Sequence, residues 1–77
     1  MLEENKSYYD IIITGNGTRL VRDKIVFYQT ENISGVKQTV VYLSNDTHIC
    51  FDLEELTVEQ LDHFMTSTPE YIYDVRK

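Results

Sequence analysis

The sequence predicts an α+β fold: a curled antiparallel sheet of four to five strands packed by one helix in the C-terminal half. Three features predict it. Turn-forming clusters cut residues 7–51 into β-branched and aromatic runs. One later segment has apolar residues at helical spacing behind a capping signal. The length of 77 residues allows one small domain over 1–77, with a core thin enough to favour support from oligomerisation.

Ser7 to Thr14 carries Tyr8, Tyr9, Ile11, Ile12 and Ile13 and reads as a first strand. Gly15-Asn16-Gly17 tolerates the positive φ of a tight turn. Arg19 to Thr30 reads as a second strand, long enough to bend or hold a bulge. On it Arg22 and Lys24 would share one face and Arg19 the other. Asn32 to Gly35 turns the chain into a third strand, Val36 to Leu43. Ser44-Asn45-Asp46 turns again into a fourth, His48 to Phe51. Apolar residues fall on both faces toward the strand ends. That pattern suits strong curling, a small barrel, or a face covered by another subunit.

Thr57-Val58-Glu59-Gln60 fits a capping box, with Leu56 and Leu61 as a hydrophobic staple. Val58, Leu61, Phe64 and Met65 form the buried stripe. Pro69 ends the helix at or before Thr68. A start one turn earlier, at Asp52 with Glu55 as its box partner, is the alternative. Tyr71 to Val75 alternates and reads as a fifth strand.

Net charge is −6, and all of it lies in residues 45–77; residues 1–44 balance to zero. Between Asp46 and Asp74 there is no Lys or Arg. On a helix Glu55, Glu59 and Asp62 would lie within about 40–60° of one another, opposite the apolar stripe, with Glu54 flanking them if the helix starts early. Exposed helices ordinarily mix signs to gain i,i+4 pairs, so an uncompensated stripe implies a use. Six tyrosines, among them Tyr71 and Tyr73, supply an interface-type side chain.

Other chemistries are weaker. His48 and Cys50 could be half of a zinc site, but His63 is the one further histidine and no ligand spacing is present. A Cys–His nucleophile would lack a glycine-rich oxyanion turn, so no enzyme activity and no cofactor or metal is expected. A small buried thiol is the ordinary role for Cys50. Gly15-Asn-Gly17 lacks the third glycine of a nucleotide turn. Each of the four asparagines starts an Asn-x-Ser/Thr triplet, which turn chemistry explains without glycosylation.

The expected function is therefore a small acidic protein-binding module. Glu54, Glu55, Glu59, Asp62, Tyr71 and Tyr73 would meet a basic surface on a partner, in one form a nucleic-acid-binding enzyme inhibited by a phosphate mimic. Small viral or mobile-element inhibitors are similar in size and charge. The alternatives are a small barrel binding single-stranded nucleic acid through Arg19, Arg22, Lys24 and tyrosines, and a structural homo-oligomer. A pI near 4.6 opposes direct nucleic-acid binding. A lone cysteine, no signal peptide and no membrane-length apolar run predict a cytoplasmic protein without a membrane partner.

Overall fold

The computed structural model describes residues 11–66 and 72–77. Its order is β1 (Ile11–Ile13), β2 (Arg19–Val21), β3 (Ile25–Ile33), β4 (Val36–Leu43), β5 (His48–Asp52), α1 (Val58–Thr66) and β6 (Ile72–Asp74). The fold is α+β as the sequence predicts, but the strands of the described residues form two sheets of three. One has the order β2-β1-β6, the other β3-β4-β5, and neither closes into a barrel among the described residues. One pair, β1 with β6, is parallel, so the expectation of a wholly antiparallel sheet fails there.

The split arises inside the expected second strand. Arg22–Lys24 form a 3-10 turn between β2 and β3, and the β3–β4 register shifts between Ile25 and Phe27. The turn sends β2 to pair with β1 and β3 to pair with β4. The length of the predicted strand accommodates a bend or bulge here, but nothing local to it announces a change of sheet. Arg22 and Lys24 consequently do not share a strand face. The expected first strand is observed at Ile11–Ile13, and its earlier part lies outside the described residues.

Turn chemistry follows the sequence closely. Ser34 (φ 54°) and Gly35 (φ 83°) form a two-residue connection with positive φ at both positions, the geometry that matches strand twist. Asn16 Oδ1 accepts bonds from the Thr14 hydroxyl and, at 3.3 Å, the Thr18 amide. Asn45 Oδ1 accepts from the Thr47 amide at 3.3 Å. These two asparagines act as turn formers, as their triplets suggested.

Directly paired residues share a sheet face. The inner face of β3-β4-β5 carries Tyr28, Thr39, Val41, Ile49 and Phe51. The core joins Ile12, Leu20, Ile25, Val41, Phe51, Leu56, Leu61 and Phe64, with Tyr28, Leu43, Ile49, Met65, Tyr73 and Val75 packed against it. Buried Thr39 donates to the Leu56 carbonyl at 2.8 Å and ties the strand to the chain entering α1.

The capping box forms in both directions. The Gln60 amide donates to Thr57 Oγ1 at 3.1 Å and Gln60 Oε1 accepts from the Thr57 amide at 2.9 Å. Leu56 and Leu61 are both fully buried, as a staple requires. The helix ends at Thr66, inside the limit Pro69 imposes. The earlier start does not occur. Asp52 O accepts from the Glu55 and Leu56 amides, and Glu55 Oε1 accepts the Asp52 amide at 3.2 Å, but this makes a single turn and not helix. Gly15 seats that turn. Its amide donates to Glu55 O at 2.7 Å, and a Cβ at Gly15 would lie 3.0 Å from the Glu55 Cα.

Candidate functional site

The acidic segment is built on the turn at 52–56 and the first two turns of α1. Glu54 and Glu59 are exposed, and among the described residues neither carboxylate has a hydrogen-bonding or ionic partner. Glu59 sits in the first helical turn, where the helix dipole favours an anion. Asp62 follows at i+3 and shares its side of the helix. Because α1 begins at Val58, Glu54 and Glu55 belong to the preceding turn and not to the helical stripe expected of them.

Two of the carboxylates also hold the fold. Asp62 Oδ1 accepts the Tyr28 hydroxyl at 2.7 Å, joining α1 to β3. Burial, helped by this bond and by the neighbouring negative charge, pushes the Tyr28 phenol up to about 12. Glu55 closes its own turn.

Tyr73 lies in β6, half-buried, with its ring 5.1 Å from His63 and 6.5 Å from Phe64. His63 is four residues after Glu59 and so neighbours it on the helix surface. Tyr73 thus reaches the acidic side of α1 through His63 while packing on the core. Tyr71 lies outside the described residues.

The arginines are directed elsewhere. Arg22 donates through Nη1 to Met65 O and through Nη2 to Phe64 O, both at 2.7 Å, with its guanidinium 4.8 Å from the Phe64 ring centroid. It thereby serves carbonyls at the end of α1 that have no intrahelical donor, and its charge complements the dipole there. Arg19 donates to Gly17 O at 3.2 Å. Arg76 pairs with Asp74 at 3.0 Å, and this bond holds the Asp74 carboxyl down to about 2. Among the described residues, no Lys or Arg forms an ion pair with Asp52, Glu54, Glu55, Glu59 or Asp62.

A feature the sequence reading missed lies on the outer face of β3-β4-β5. Phe27 stacks on Tyr42 at 4.3 Å, and Tyr42 lies 5.5 Å from His48, making an aromatic row across three strands. The Tyr42 hydroxyl donates to Glu31, which lowers the Glu31 carboxyl and raises the Tyr42 phenol. The alternation of Phe27, Tyr42 and His48 was visible, but their alignment depends on pairing register. His48 and Cys50 do share this face, yet Cys50 is exposed and not the buried thiol expected. Among the described residues no three His, Cys, Asp or Glu side chains are grouped to hold a metal ion, and no helix is long and apolar enough to cross a membrane. Comparison with protein-family models, curated proteins and solved structures finds no match to this chain.

Proposed function

We infer that this chain is a small acidic protein-binding module whose 52–62 segment docks on a basic surface of a partner protein. One observation carries the reading. Five carboxylates fall within eleven residues, and none is ion-paired with a described Lys or Arg, while Arg19, Arg22 and Arg76 bond within other segments. Mutual repulsion among them costs stability, and a cationic partner would remove that cost. Glu54 and Glu59 are the contact charges in this reading. Asp62 and Glu55 hold the surface in shape, and Tyr73 with His63 forms its aromatic margin. A nucleic-acid-binding enzyme, whose groove is lined to receive phosphates, is a partner of suitable chemistry.

The barrel alternative loses support because Arg22 is directed to the end of α1. The test compares the intact chain with its Glu54→Gln/Glu59→Gln variant as bait in host lysate, followed by affinity measurement on the purified captured protein. Binding should weaken about tenfold in the variant and fall with added salt. A partner that binds both forms equally, or single-stranded oligonucleotide binding by the wild type in place of a protein, would overturn the reading.

A further inference from the structure

Among the described residues β3 is the longest strand and stands at the edge of its sheet. Natural edges are protected by shortness, lysine, proline or bulges. Across Phe27–Ile33 none of these is present, and Glu31 is the one charge.

The hairpin geometry says which backbone groups face outward. In a two-residue connection the flanking pair, here Ile33 with Val36, exchanges hydrogen bonds. Alternation then points the amides and carbonyls of Ile33, Glu31 and Gln29 toward β4. Those of Asn32, Thr30 and Tyr28 point away from it, and among the described residues no strand receives them. Thr30 and Asn32 are exposed.

We propose that this edge pairs antiparallel with the same edge of a second copy about a two-fold axis at Thr30, making one six-stranded sheet. The side chains select that register. A two-fold axis normal to the sheet keeps each face on its own side, so paired residues come from the same face. With Thr30 opposite Thr30, Phe27 meets Ile33, Tyr28 meets Asn32 and Gln29 meets Glu31 of the other copy. Phe27 and Ile33 are both exposed in the single chain, at 49% and 38%, and each would cover the other. A centre on Glu31 opposes two carboxylates directly, and a centre on Gln29 sets Phe27 against Glu31. In the Thr30 register three residue pairs exchange six backbone hydrogen bonds. Gln29 and Glu31 fall at positions between them, where facing side chains approach most closely.

Sedimentation of the full chain from about 10 μM to about 1 mM covers the affinities expected of an interface at the small end of the range. The wild type should dimerise, more tightly at high salt, because the copies repel and the two Glu31 carboxylates become diagonal neighbours. Gln29→Glu should weaken the dimer about 3- to 10-fold, since it acts twice across the axis. Gln29→Lys should tighten it by a smaller factor, because Gln29 already bonds Glu31 of its own chain at 2.8 Å and a lysine there shares its charge with that carboxylate in the monomer. Thr30→Pro removes an outward amide and not a β3–β4 bond, and should abolish dimerisation with the amide spectrum of the monomer retained. If that variant unfolds, the order of the two Gln29 variants decides. A wild type monomeric at about 1 mM, or a dimer indifferent to the sign placed at residue 29, would overturn the proposal.

Discussion

The chain from Asp52 to Thr66 and the β3–β4 hairpin are each ordered by strong local signals, yet they meet the rest of the molecule differently. The helical segment is fastened on one side throughout. Leu56, Leu61 and Phe64 lie in the core, Thr39 holds Leu56 O, and Arg22 holds the last carbonyls. Its opposite side displays unpaired charge. The hairpin is fastened along its base and middle, where Ile25 and Val41 join the core, Thr39 and Tyr28 bond to Leu56 O and Asp62, and β4 pairs with β5. Its far end leaves Ile33 and Val36 exposed, at 38% and 56%. The two regions therefore offer different surfaces: an anionic one on a firmly held element, and a neutral backbone edge whose far end is held mainly by its own cross-strand pairs.

Truncation separates the regions most sharply. Leu61→Ala should destabilise the protein by about 2–5 kcal/mol, as deletion from a packed core does. Val36→Ala at the hairpin end should cost less than about 1 kcal/mol, the scale of one cross-strand pair. Urea unfolding of both variants measures the contrast, and equal losses would mean that the hairpin end is as well supported as the helix.

Next in size is the cap. Thr57→Ala should cost about 1 kcal/mol, because it leaves the Gln60 amide without its oxygen and loosens the reciprocal bond. The measurement is the urea midpoint at constant slope. A neutral result would place the holding of α1 entirely in its packing.

The smallest effect joins the two regions through the Tyr28–Asp62 bond. Tyr28 holds its proton more tightly folded than unfolded, with its folded value raised from 10.0 to about 12. Its contribution is thus complete below about pH 10 and is lost as the pH rises toward 12. Stability measured across that window should fall, and Tyr28→Phe should make the fall shallower. An unchanged slope in Tyr28→Phe would assign the alkaline loss to other groups.

The parts legible in the sequence are those specified by neighbours in the chain. The Thr57 box, the Leu56 and Leu61 staple, the limit set by Pro69, and β4 at Val36–Leu43 all follow from residues within a few positions of one another. Glu59 and Asp62 on one side of α1 follow for the same reason. Glu55 departs from the predicted helical stripe because a capping pattern at Asp52 competes locally with the one at Thr57. The second is supported by burial of Leu61 and Phe64, and the first remains one turn. Arg22 resembled part of a basic patch because nothing near it in the chain announces carbonyls more than 40 residues away.

By itself, then, the sequence determined the α1 cap, the turns at Gly15–Gly17, Asn32–Gly35 and Ser44–Asp46 and the one-sided distribution of charge, since propensity, capping and turn conformation act over a few residues. Tertiary structure decided that the strands divide into two sheets, that β6 returns parallel to β1, and that Arg22 faces the end of α1 instead of the acidic segment. Those outcomes depend on which distant groups meet, and chain closure over tens of residues leaves no mark in local pattern.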